Sequence, residues 1–395
     1  MRMFAVALAA VQVVQGLTRR ESLPGFNFSY WVVSYQHGFV RRGLGGEILR
    51  LLTGAPSVGA IDVVFALVVV VSVLALLAVV ELLLRTERDG CAALAILLAA
   101  SPFGFDYLTW EHRPDQLGVP LLVVLGIGVS LGSPHTRRWV VAGSGLAFGA
   151  LTLVHEGAAL IVLPWALVVV AVVPALTSAT SATAKTDRPW REVGLLVGPA
   201  GCAFAAVVAF GRASPGVVAQ FQRDSPKFVG TANGFIALGH SFGEAWTTVE
   251  NVPSGLLVGA VVTGAVLTAL QLAWVRGWAG TRLLSAILLV RPRLLGAVAV
   301  VGIAVTTALL FVTGVDWLRW FAAVGCSWLV ASAFVTMSAV DARDTTGTRT
   351  TSPTRRSTVA LPNLLPVAAV LLVLLEPLPE GIRLSDLHRL VPLWG

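Results

Sequence analysis

Long apolar runs divided by short polar connections dominate the chain. A helix that crosses a bilayer needs about 20 mostly apolar residues. Eleven stretches approach or reach that length: 3–18, 58–84, 90–106, 117–132, 139–154, 157–175, 193–211, 253–275, 294–313, 320–340 and 358–376. The first and fifth are short, and only His155, Glu156 and Gly157 divide the fifth from the sixth, which predicts a tight hairpin there. The opening run, MRMFAVALAAVQVVQGL, has a short apolar core before Gln12 and no cleavage site after it, so it reads as an anchor. The pattern predicts an all-α, polytopic membrane helical bundle of about eleven transmembrane helices, one integral membrane domain over 1–395.

Composition agrees. Of 395 residues, 56% are hydrophobic and 12% charged, with mean hydropathy +0.82; a soluble domain carries about 25% charged residues. The net charge of +7 is explained by loop topology and implies no nucleic acid partner. Sixteen of the 28 Lys/Arg but seven of the 21 acids fall in one alternating set of connections (85–90, 134–139, 176–192, 276–293 and 341–358, with Arg2 and Glu81). Basic excess marks the cytoplasmic side, which predicts a bacterial plasma-membrane protein with N-terminus cytoplasmic and C-terminus extracytoplasmic. Cys91, Cys202 and Cys326 fall in or beside apolar spans and read as small core residues.

The cytoplasmic connections, including the Ser/Thr/Arg-rich 341–357, read as flexible linkers. The chemically rich segments lie on the other face, in a first outer loop over 18–57, a long outer loop over 212–252, and three short connections.

Four constellations stand out there. FDYLTWEHRPDQLG (105–118) packs Asp106, Glu111, His112, Arg113 and Asp115 between apolar runs; Glu111 and Asp115 share a helical face, and Pro114 starts the next helix with Asp115 in its first turn. LVHEGA (153–158) interrupts an apolar run with His155 and Glu156. TGVDWLRWF (313–321) spaces Asp316 and Arg319 to pair on one face, between tryptophans suited to headgroup depth. FNFSYWVVSYQHGFVRRGLGGEILRLL (26–52) reads as amphipathic helices in the headgroup layer, with an aromatic cluster, His37, Arg41, Arg42 and Glu47. Paired guanidiniums suit a phosphate, and Gly43, Gly45 and Gly46 allow close backbone approach. For each group the competing reading is structural: a capped turn, a wet hairpin tip, an interfacial ion pair, or anchoring to anionic lipid.

The spans place almost no charge at mid-bilayer; Asp62 and Glu81 lie near span ends. A proton-coupled transporter commonly builds its relay there, so the pattern weighs against that class. The outer set instead offers carboxylates for a general base and arginines for a phosphate. A polyprenyl-phosphate sugar fits, its tail in the bilayer, its phosphate on arginine and its sugar facing the acids.

The architecture resembles the GT-C superfamily of membrane glycosyltransferases, in which a first span and a large outer loop with juxtamembrane helices precede many further spans. QHGFVRRGLGG, EHRPDQLG, LVHEG and VDWLRW are also similar to segments of bacterial polysaccharide-cluster membrane proteins related to those enzymes. The resemblance implies sugar transfer from a polyprenyl phosphate to a cell-envelope glycan acceptor at the extracytoplasmic face. A high-GC actinobacterial source would by the same resemblance imply decaprenyl-phosphate arabinose or mannose as donor. GT-C enzymes usually carry an essential acid in the first outer loop; here that loop has only Glu21 and Glu47. Either Glu47 substitutes or Asp115 supplies the base from the next outer loop; Asp115 is favoured, with Glu156 and Asp316 as supporting acids. Substrate binding is assigned to Arg41, Arg42, Arg113, His112, His155, Arg319, His37 and Glu111. No cofactor is required and no metal ligand is assigned, while three separated acids leave a divalent metal open. The alternatives are a transporter or flippase of a lipid-linked glycan, and an O-antigen-type polymerase.

Overall fold

The computed structural model describes residues 1–18, 25–86, 88–110, 113–178, 189–225, 232–276, 293–312 and 317–345. Among them the chain is helical, with no strand. The helices are α1 (Arg2–Thr18), α2 (Gly25–Val32), α3 (Gly43–Thr53), α4 (Val58–Arg85), α5 (Asp89–Ala100), α6 (Tyr107–Trp110), α7 (Gly118–Leu131), α8 (Pro134–Val154), α9 (Glu156–Ser178), α10 (Pro189–Phe210), α11 (Pro215–Asp224), α12 (Ala232–Gly239), α13 (Phe242–Glu250), α14 (Ser254–Trp274), α15 (Arg293–Val312) and α16 (Trp317–Thr345).

Seven described segments are long and apolar enough to cross a membrane, or eight if α5 and the segment after its break count as one bent span. That is fewer than the expected eleven, and each difference has a reason. The stretch 3–18 lies in α1, which has only 17 residues. The stretch 139–154 lies in α8, whose first turns carry His135, Arg137 and Arg138. The stretch 90–106 is the bent pair, broken by 52°. The stretch 358–376 lies outside the described residues.

Burial sorts the helices. α9 is buried continuously from Ala166 to Val173, and α5 from Ala93 to Ala100, so both sit inside the bundle with α7 and α16. α15 instead exposes Leu294, Val298, Val301, Val305 and Leu309, a helical stripe of large apolar side chains. α4 does the same through Val63, Leu67, Val70, Val71 and Leu74. Such stripes are the lipid-facing surface of a multi-pass membrane protein. Cys202 is exposed on α10, so it is a surface residue, unlike the buried Cys91 and Cys326.

A second core covers one end of the bundle. Tyr30, Trp31, Val33, Val40 and Leu49 from the first long connection pack with Phe65 of α4, Leu151 and Val154 of α8, and Phe221, Phe235 and Leu238 of the later long connection. Gly45 and Gly46 make this possible. A Cβ on Gly46 would lie 2.0 Å from the Val33 carbonyl oxygen, and one on Gly45 2.9 Å from that of Tyr30. The close approach expected of this Gly-rich stretch is thus α3 against the end of α2. α3 meanwhile exposes Ile48, Leu51 and Leu52, an apolar face suited to a membrane surface.

The break after α5 directs the chain into this end. Ser101 is extended, its Oγ accepts from the Phe103 N–H at 3.0 Å, and Pro102 follows at the first position of a π-turn (Pro102–Asp106). Pro102 cannot continue the preceding hydrogen-bond ladder. Gly104 takes φ −99°, ψ −114°. Gln12 and Gln271 hold the break from opposite sides, Gln12 Nε2 donating to the Ala100 carbonyl at 3.0 Å and Gln271 Nε2 to Ser101 Oγ at 2.9 Å.

Candidate functional site

Four segments far apart in sequence meet at the covered end. Arg113 is extended, and Pro114 opens a 3-10 turn (Pro114–Leu117) that leads directly into α7 with Asp115 in its first turn, as the sequence predicts. α16 brings Arg319 from its own first turn, and the α8–α9 hairpin contributes His155 and Glu156. Arg42 enters from the first long connection, at the residue before α3.

Asp115 is the centre. Its side chain is 0% exposed and that of Arg319 5%, with Arg319 Nη1 donating to Asp115 Oδ2 at 2.7 Å. Tyr107 Oη, delivered by the helix break, donates to the same oxygen at 3.3 Å. Oδ1 is buried without a hydrogen-bond partner among the described residues. Arg113 couples electrostatically to both Asp115 and Arg42. Gln116 braces the turn, its Nε2 donating to the Tyr107 carbonyl at 2.7 Å.

Beside this pair lies a second. Arg42 donates through Nε to both oxygens of Glu156 at 3.0 Å and through Nη2 to Oε1 at 2.7 Å. Burial works against the charged Arg42, but Glu156 outweighs it and raises the guanidinium pKa. Arg42 also holds φ 65°, the one non-glycine residue with positive φ among the described residues. Left-handed backbone costs an L-residue roughly 1–2 kcal/mol, and such outliers concentrate at functional sites.

His155 joins the two pairs. Its ring stacks on Tyr30 with centroids 5.0 Å apart, and the Arg42 guanidinium lies 5.1 Å from the same Tyr30 ring. Burial pushes the imidazole down to about 4, so it is neutral near pH 7. Nδ1 accepts from the Gly157 N–H at 3.0 Å, which places the ring proton on Nε2. That Nε2 is buried with no hydrogen-bond partner among the described residues.

Arg41, Glu47 and His37, also expected at the site, make contacts within and between the two long connections. Arg41 uses its backbone N–H on the Gly211 carbonyl and its guanidinium on the carbonyls of Ala237 and His240. It stitches the two long connections together, and burial lowers its pKa. Glu47 accepts from Arg50 at 2.5 Å and from the Tyr35 N–H at 3.1 Å, and these contacts hold its carboxyl below the usual range. His37 pairs with Asp224 at 2.8 Å. Arg319 reaches Asp115; its expected partner Asp316 lies outside the described residues, as do Glu111 and His112. Among the described residues no group of three or more His, Cys, Asp or Glu is gathered to hold a metal ion.

Tyr107, Tyr30 and Gln116 are site residues that sequence reasoning missed. Tyr107 and Gln116 lie within the acidic stretch itself, where their polar groups are a usable signal. Tyr30 is one of six aromatic residues in its segment and has no distinguishing mark.

A groove runs along α15 and the start of α16. It has a volume of about 690 Å³ and is lined by side chains of α13, α14, α15 and α16, among them Trp246, Ile303, Phe311, Trp317 and Phe321. Trp317 stands two residues before Arg319. The groove is almost wholly apolar.

A family model described as "Uncharacterised membrane protein Rv1490" matches residues 2–224, and the chain belongs to that family. The match takes in Arg42, Asp115, His155 and Glu156 and stops short of Arg319. The chain is 38% identical over 160 residues to "Uncharacterized protein Rv1490" of Mycobacterium tuberculosis and to "Uncharacterized protein Mb1527" of Mycobacterium bovis. Those alignments cover 39% of this chain and 36% of each relative. No solved structure matches.

Proposed function

We propose that this member of the Rv1490 membrane-protein family is a glycosyltransferase of GT-C type. It moves a sugar from a polyprenyl-phosphate donor to a cell-envelope glycan acceptor at the extracytoplasmic face. The observation that carries the reading is the buried Asp115 carboxylate, with Oδ2 taken by Arg319 and Tyr107 and Oδ1 without a partner among the described residues. A carboxylate so held is oriented, and one oxygen is left to accept a proton.

In the proposed reaction the acceptor hydroxyl gives its proton to Asp115 Oδ1, and its oxygen forms the new bond to the anomeric carbon. The bond from that carbon to the phosphate oxygen breaks, and its electron pair leaves with the polyprenyl phosphate. Arginine donors stabilise the charge on the departing oxygen. The apolar groove lined by Trp317 suits the prenyl chain.

Purified protein in nanodiscs, given radiolabelled polyprenyl-phosphate sugars and cell-envelope acceptor, tests this. Wild type should transfer, and folded Asp115→Asn should lose transfer by about a hundredfold or more, the contribution of a positioned base. Equal transfer by both would remove Asp115 from the chemistry, and no transfer with any donor would sink the enzyme reading.

One observation favours a second reading, translocation of a lipid-linked glycan. The break after α5 puts non-helical backbone beside Gln12 and Gln271 within the bundle, and broken helices recur at transporter binding sites. Glycan movement across proteoliposomes without sugar transfer would select it.

A further inference from the structure

We infer that Arg42 and His155 form a two-donor clasp for a single phosphoryl group, the phosphodiester of the lipid-borne donor. This rests on the transfer reading above and specifies which atoms of the site hold the donor phosphate.

The argument begins with what these side chains leave unused. Arg42 commits Nε and Nη2 to Glu156, while Nη1 is buried and has no hydrogen-bond partner among the described residues. His155 commits Nδ1 to the Gly157 N–H, and its protonated Nε2 is likewise buried and unpartnered there. Leaving a buried donor unsatisfied costs about 1–3 kcal/mol, more for a charged group, and native structures rarely keep two in one place without a ligand or water between them. Both donors belong to one assembly, since the Tyr30 ring stacks on the imidazole and lies under the guanidinium.

The backbone supplies an independent observation. Arg42 occupies a left-handed position that glycine would take without strain, and the next residue is Gly43. The chain keeps a guanidinium there, with Glu156 fixing its plane by bonds to both carboxylate oxygens. Glu156 is thereby a positioning residue, which orients Arg42 and offsets most of its charge.

The ligand's chemistry follows. Two donors ask for acceptor oxygens, and a neutral imidazole adds a directed N–H without adding charge. Among the described residues Arg41, Arg42, Arg113 and Arg319 couple to Asp115 or Glu156, leaving positive charge in excess. A phosphodiester carries one negative charge and two non-bridging oxygens. A diphosphate presents more acceptor oxygens than these two donors can meet.

Binding tests the inference without requiring transfer. Wild type in zwitterionic nanodiscs is titrated with farnesyl phosphate, farnesyl diphosphate, farnesol and inorganic phosphate. His155→Phe keeps the ring on Tyr30 and deletes the donor. The double variant Arg42→Gln/Glu156→Gln removes the pair without stranding a buried charge. Farnesyl phosphate should bind saturably and more tightly than farnesol, and each variant should weaken it by about tenfold or more. Competition by inorganic phosphate would show that the clasp takes the free anion as well. Its failure to compete, with farnesyl phosphate bound, would assign the clasp to lipid-borne phosphate. Equal binding of farnesyl phosphate by wild type and both variants overturns the clasp, as does equal binding of farnesol or a tenfold preference for the diphosphate. Variant-sensitive binding without sugar transfer would count against the transferase reading alone. Transfer with variant-insensitive binding would count against the clasp alone.

Discussion

Replacing Arg319 with methionine keeps most of the side-chain volume and removes the partner of a carboxylate that is 0% exposed. At the observed 2.7 Å, an effective dielectric of about 20 gives a gross attraction of roughly 6 kcal/mol. Desolvation of both groups opposes that sum, so the pair's net worth is much smaller. Truncating one member is costly all the same, because the other charge stays buried: about 3–5 kcal/mol for such pairs. Tyr107 and Arg113 remain near Asp115, which places the expected loss toward 3 kcal/mol. Asp115→Asn removes the carboxylate from Arg319 and should also destabilise the fold. The double variant removes both members of the pair and should be less destabilised than the sum of the singles by about 2–3 kcal/mol. Reversible unfolding in mixed detergent–SDS micelles measures all four corners of this cycle. A coupling below about 0.5 kcal/mol is the value of an exposed surface pair, and it would refute the buried, mutually dependent arrangement on which the site rests.

Four further outcomes follow from the same geometry. Arg42→Gly should relieve roughly 1–2 kcal/mol of left-handed strain yet be net destabilising, because Glu156 loses its partner; Arg42→Gly/Glu156→Gln should recover most of that loss in the same unfolding assay. Gly46→Ala should cost about 1–3 kcal/mol, since its Cβ meets the Val33 carbonyl backbone, and should open the covered end to proteases first. Gly104→Ala puts a Cβ 2.4 Å from the Leu98 carbonyl oxygen and should shift Tyr107, lowering transfer more than stability. Burial holds His155 at about 4 against 6.5 when unfolded, so in that window the unfolded chain binds the proton more readily. Stability should therefore fall as pH drops from about 6.5 toward 4, and His155→Phe should flatten that slope.

The sequence by itself determined the class of molecule and the location of its chemistry. Runs such as 58–84 and 157–175 are too long and apolar to be anything but buried or lipid-facing helices. Ionisable residues are costly beside a bilayer, which is why Asp115, His155, Glu156, Arg319 and Arg42 were visible as candidates without any structure. The start of α7 was equally legible, because Pro114 and the following turn are local signals.

Partners were not legible, since they are set by which helices adjoin. Spacing gave no sign that Arg319 reaches Asp115, 204 residues away. It suggested that Arg41 and Arg42 act as a pair, but they diverge, Arg41 to the carbonyls of Ala237 and His240 and Arg42 to Glu156. Adjacent residues at a left-handed turn point in different directions, and no periodicity records that turn. Tyr107 depended on a break at Ser101–Pro102 that lies inside what reads as one apolar span. Hydropathy registers only the cost of leaving water, so it could identify these side chains without saying where they point. Tertiary packing, through the close approach at Gly45 and Gly46 and the bend after α5, decided that four scattered polar segments became one buried site.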